Sequence, residues 1–169
     1  VDSGVTDASH LVADLQAQRG DGRTLLVFTL DAAQDGLKQI SDVLARYQAT
    51  QGQGGVDAIH LITHGDAQGL QIGSTWLSAD NLAQHAAQIA GWGASLNTHA
   101  DLMLYGCDLA ASATGRQLTD DLGLLTGADV AASTNVTGAA AQGGDWTLEY
   151  AHGAINAQVA ANAATQADW

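Results

Sequence analysis

Apolar residues fall along this chain in two rhythms. The run TLLVFTL at 24–30 is continuous, as in a parallel strand covered on both faces. Behind it Leu37, Ile40, Val43, Leu44 and Tyr47 recur at helical spacing, with Asp35 placed to cap the helix. VDAIHLITHG at 56–65 returns to strand character, and GLQIGSTWLS at 69–78 reads as a hairpin around Gly73-Ser74, a pair suited to a type II′ turn. A helix is expected from about Asp80, with Leu82, Ala86, Ile89 and Ala90 on one face and Gly-Trp-Gly at 91–93 closing it. DLMLYGCDL at 101–109 is the third strand. Leu118, Leu122 and Leu125 mark a further helix stopped by Gly127, ADVAAS at 128–133 is a fourth strand, and GDWTLEY at 144–150 is the last. One earlier helix is expected around Ser9 to Gln18. The alternation predicts an α/β fold with a mainly parallel sheet and helices on both faces. Residues 1–155 make one domain on this reading, and 156–169 carry so little apolar weight that they read as a tail or linker.

Charge narrows the partners. Lys and Arg number 5 against 18 Asp and Glu, and a formal charge of −13 repels phosphate backbones and anionic lipid heads alike. Nucleic acid is therefore excluded as a partner. No stretch approaches the roughly 20 apolar residues of a membrane span, which argues against membrane insertion, and VDSGVTDASH lacks the layout of a signal peptide. The missing initial Met suggests an excised piece of a larger polypeptide. Scarce Lys, no Pro and 20 Gly have the flavour of an exported bacterial protein, so a secreted or cell-surface location is expected.

The candidate chemistry sits at two strand ends. HLITHG at 60–65 stops at His64, and LYGCDLA at 104–110 carries the only cysteine, Cys107, which leaves no internal disulfide. In open α/β sheets the active site lies past the carboxyl ends of the strands. If the two strands are neighbours, their ends stand roughly 5 Å apart. A thiol of ordinary pKa near 8.5 is mostly protonated at neutral pH, and a nearby imidazole takes its proton or stabilises the thiolate. Gly65 and Gly106 leave room for the backbone to approach a bound carbonyl, so the Gly65 N–H is a candidate oxyanion donor beside that of Cys107.

Strand-His-Gly followed by strand-Cys, in this order, resembles the caspase-like cysteine peptidases. The wording LITHG and LYGCDLAAS, together with LTGADVAAS and GGDWTLE, is closer still to DUF4347, a domain found near the starts of very large bacterial surface and adhesin-like proteins. The resemblance runs from about Asp2 to Glu149. It implies a caspase-like three-layer fold, a mainly parallel central sheet flanked by helices, with His64 as general base and Cys107 as nucleophile. Asp108 follows the cysteine where caspases carry Arg, so caspase specificity does not transfer. Relatives also draw a charged side chain from the loop after the first strand into the substrate pocket. Here that loop, LDAAQDG, offers Asp31 and Asp35, and with Asp108 these are the candidate substrate-binding residues, suited to a Lys or Arg side chain.

Simpler roles stand beside these. A lone strand cysteine is often a buried small hydrophobe. Asp35 suits a helix cap, Asp31 a turn, and Asp108 an acceptor of loop N–H groups. His60 and His64, four apart, would lie roughly 13 Å from each other along a strand, too far for one zinc ion. GDG at 20–22 is too short for a calcium loop of the EF-hand kind. No metal or cofactor is expected. The leading expectation is a cysteine endopeptidase that cuts a peptide or protein substrate, including another segment of its own polypeptide. Acyl transfer to an acceptor other than water would use the same dyad. The rival is a non-catalytic folding cap or interaction module of an adhesin that keeps the same fold.

Overall fold

A computed structural model describes residues 1–18, 22–51 and 55–169, so Gly20 and Asp21 of the GDG run lie outside the described residues. In chain order the elements are α1 (Ala8–Ala17), α2 (Gly36–Gln51), β1 (Val56–Ile62), β2 (His64–Asp66), β3 (Gly69–Ile72), β4 (Thr75–Ser78), α3 (Leu82–Ala90), β5 (Leu96–Tyr105), α4 (Ala113–Thr126), β6 (Asp129–Ala132), β7 (Tyr150–His152) and α5 (Ala163–Asp168). The main sheet has the order β1-β5-β6-β7. β1, β5 and β6 run parallel, and β7 pairs antiparallel with β6. A separate antiparallel sheet, β2-β3-β4, rises from the end of β1. Its β3–β4 turn is the Gly73-Ser74 pair, with Gly73 at φ +57°, a conformation that glycine adopts without a Cβ clash.

Alternation along the strands divides the core in two. Leu61, Leu102, Leu104, Val130 and Ala132 point to one face, where Leu37, Ile40 and Leu44 of α2, Ile89 of α3 and Leu118 and Leu122 of α4 cover them. Ile62, Met103, Tyr105 and Ala131 point to the other, beneath Leu11 and Leu15 of α1, Trp146, Ala160 and Ala161. The mixed α/β architecture with a mainly parallel sheet and flanking helices is as expected from the sequence pattern.

Three stretches differ from that pattern. Residues 24–29 join no ladder, and Leu26 and Phe28 are exposed. The reason is competition for the place beside β1. Asp2 N–H bonds the Ile62 carbonyl at 2.9 Å, Leu30 N–H bonds Val1 O at 2.8 Å, and Ser3 N–H bonds Leu30 O at 2.9 Å, so residues 1–3 lie between the run and the sheet. The last strand covers Tyr150–His152 rather than 144–150. Asp145 and Glu149 instead accept hydrogen bonds from Thr147, Asn135 and Thr134, which folds that run into a loop network. Residues 156–169, expected as a tail, pack on the domain. The buried Asp101 carboxylate accepts the Asn156 and Ala157 N–H groups at 2.9 and 2.6 Å, Ala160 and Ala161 are buried, and α5 follows. Low side-chain hydrophobicity did not prevent docking because backbone N–H groups supplied the contact.

Candidate functional site

β1 and β5 are adjacent, and Ile62 pairs with Tyr105 at their carboxyl ends. His64 and Cys107 each lie two residues beyond that pair, so both stand at the same edge of the sheet. They line one cavity of about 240 Å³. Glycine makes the close approach possible: a Cβ on Gly65 would sit 3.0 Å from the Gly106 Cα, and one on Gly106 would sit 2.2 Å from Leu70 Cδ2. These two glycines pack the strand ends against each other. The sequence suggested room for a substrate carbonyl at the same positions.

The turn that presents Cys107 is held from the neighbouring loop. Asp108 takes φ +57°, its N–H donates to Asn135 O at 2.7 Å, and Ala110 N–H donates to Ser133 O at 2.8 Å. α4 then starts at a capping Ser112, whose Oγ accepts the Gly115 N–H at 3.0 Å. Cys107 is a free thiol, half-buried, with Sγ 4.0 Å from the Thr137 carbonyl. Among the described residues, no carbonyl accepts the Cys107 N–H.

His64 is exposed, and its Nε2 lies 3.0 Å from Gly4 O. A carbonyl oxygen only accepts, so Nε2 carries a proton. In the neutral ring this contact selects the tautomer whose Nδ1 is the proton acceptor. Gly4 is itself held through Asp2, a buried carboxylate that accepts Gly4 N–H at 2.7 Å and Gly73 N–H at 2.5 Å. Pattern reading of the sequence passed over Asp2, because its role depends on three segments distant in the chain.

The acidic candidates sit elsewhere. Asp31 accepts the Ala33 N–H at 2.9 Å in a turn, and Asp35 accepts the Lys38 N–H at 3.1 Å at the start of α2. Neither lines the cavity, and nor does Asp108. The carboxylates that do are Asp7, which enters with the start of α1, and Asp168 at the end of α5. Trp169 lines it too. Nothing in local periodicity marks these residues, because the fold brings both ends of the chain over the same strand ends.

Tyr105, which also lines the cavity, forms a second polar pair with His60. Ala160 N–H donates to the Tyr105 hydroxyl at 3.2 Å, and that hydroxyl lies 3.1 Å from His60 Nδ1. Burial, reinforced by the charge of Arg23, pushes the His60 pKa down to about 4, and burial pushes Tyr105 up to about 12. His60 is therefore neutral at pH 7 and accepts the tyrosine proton. Among the described residues, no three or more His, Cys, Asp or Glu side chains are grouped to hold a metal ion, and no helix is long and apolar enough to cross a membrane.

Comparison with known proteins agrees in one respect. No curated protein and no solved structure matches the chain. A family model does match, over residues 1–169, so the chain belongs to DUF4347, described as a domain of unknown function.

Proposed function

We propose that the chain is a caspase-like cysteine endopeptidase domain of a large bacterial secreted or surface protein, acting on a segment of its own polypeptide or on a neighbour. One observation carries this reading: the parallel pairing of β1 with β5 gathers His64 and Cys107 into a single cavity. The Gly4 carbonyl on Nε2 supports the assignment of base, since it leaves Nδ1 to take the thiol proton. In the proposed reaction the thiolate attacks the scissile carbonyl carbon, and the oxyanion is held by the N–H groups of Cys107 and Gly65. The imidazolium then protonates the leaving amine as the C–N bond breaks, and water releases the acyl group from sulfur.

Cys107→Ser keeps nearly the same volume and removes the nucleophile. Thermal melting should change little, while cleavage of a longer polypeptide carrying this domain should stop. His64→Ala should slow iodoacetamide alkylation of native Cys107 as well as cleavage. If wild type alkylates slowly, the His64 change has no effect and no bond is cut, the peptidase reading fails. A non-catalytic adhesin module is then the better description. That rival has one observation in its favour, the hydrogen bond of Cys107 Sγ to Thr137 O rather than to the imidazole.

A further inference from the structure

We propose that residues 160–169 form a strap that gates the Cys107 cavity, closed in this structure and opening to admit large molecules. The proposal rests on the peptidase reading for its purpose, though the gating itself is a matter of access alone. Three contacts close the strap. The Trp169 indole N–H donates to Thr6 O at 3.0 Å, its ring stands 5.3 Å from that of Trp146, and its backbone oxygen lies 3.5 Å from where a Cβ on Gly138 would be. Trp169 thus joins the segment before α1, the loop after β6 and the core on one side of the cavity. Asp168 and Trp169 share its lining with His64 and Cys107.

The strap is anchored at its start, where Ala160 and Ala161 are buried and the Ala160 N–H donates to the Tyr105 hydroxyl at 3.2 Å, and at its far end by Trp169. Between its two ends lies α5 (Ala163–Asp168). Its start relies on Asn162, whose Oδ1 accepts the Thr165 N–H at 3.0 Å. In the closed arrangement Trp146 Nε1 and Thr137 Oγ1 are both buried, and among the described residues neither has a hydrogen-bond partner. Trp146 is in ring contact with Trp169, and Thr137 lines the same cavity. Burying such groups unpaired is unfavourable, and undocking the strap returns water to them, so the closed arrangement is opposed from beneath. A segment opposed in this way opens more often than the core.

The test compares two alkylating reagents of different size on native Cys107, iodoacetamide and a fluorescein maleimide. Trp169→Ala removes the anchor, and Asn162→Ala loosens the other end of α5. Loss of an aromatic contact and a hydrogen bond should shift the open population about tenfold, so the fluorescein maleimide should react about tenfold faster in the Trp169 variant, with a smaller change for iodoacetamide. Size-selective acceleration in either variant supports the strap. Equal acceleration for both reagents, or none, overturns it. Should the variants fail to fold, amide exchange of the wild type decides: residues 160–169 exchanging much faster than β5 support gating, and equal protection refutes it. Failure of the peptidase reading looks different, because it appears as indifference of either reagent to His64→Ala.

Discussion

Acid should weaken this fold through His60 in a calculable way. In the folded chain the imidazole is neutral, with its pKa pushed down to about 4 by burial and by the Arg23 charge. Once unfolded it returns to an ordinary value near 6.5. Between those values the unfolded chain binds a proton that the folded chain does not, so stability falls as pH falls. The contribution is complete above about pH 6.5, declines below it, and is exhausted near pH 4. With these two pKa values the loss is about 2 kcal/mol by pH 5 and approaches about 3 kcal/mol at lower pH. Protonation also removes the lone pair that accepts the Tyr105 proton, and that hydroxyl is the acceptor for Ala160 N–H. The pair therefore ties acid sensitivity to the segment leading into α5. The assay is urea unfolding of wild type and His60→Gln at pH 7 and pH 5. Glutamine retains an acceptor for Tyr105 and does not titrate, so carboxylate effects common to both proteins cancel. Wild type should lose about 2 kcal/mol more than the variant between the two pH values. Equal losses in both proteins would refute a depressed His60 pKa.

Three further outcomes are expected. Gly115→Ala should cost about 3 kcal/mol in chemical denaturation, because its Cβ would stand 1.6 Å from the Leu109 carbonyl oxygen, a backbone atom of the turn behind Cys107. Asp101→Ala should cost about 2–3 kcal/mol, since two N–H groups of residues 156 and 157 lose a charged acceptor, and amide exchange should quicken across that segment first. If the cavity selects a Lys or Arg side chain, Asp7→Asn should weaken that preference in a peptide library while Asp31→Asn and Asp35→Asn leave it unchanged, because only Asp7 of the three lines the cavity. Loss of the preference in the Asp31 or Asp35 variant would show that the acidic loop reaches the substrate.

Local pattern was enough to specify most elements of this chain, because helices and strands follow from the spacing of apolar side chains. Gly127, at φ +72°, ends α4 where the sequence places the stop, and the His64 and Cys107 strand ends are neighbours as their order suggested. The run at 24–30 shows the limit. Its composition suits a strand, yet pairing is decided by which backbone reaches the sheet, and residues 1–3 occupy that place. The cavity walls were equally hidden. Asp31 and Asp35 are acidic and near in sequence, but their oxygens accept local N–H groups in a turn and a cap. Asp7, Thr137 and Trp169 carry no periodic signal, and they line the cavity with His64 and Cys107 because contacts among distant segments bring them there, while Asp2 acts on His64 only through Gly4. Sequence alone singled out His64 and Cys107 and the strands that present them, since those depend on local apolar order. Tertiary structure decided what surrounds them, since a cavity wall is made by whichever segments can satisfy their backbone groups against one another.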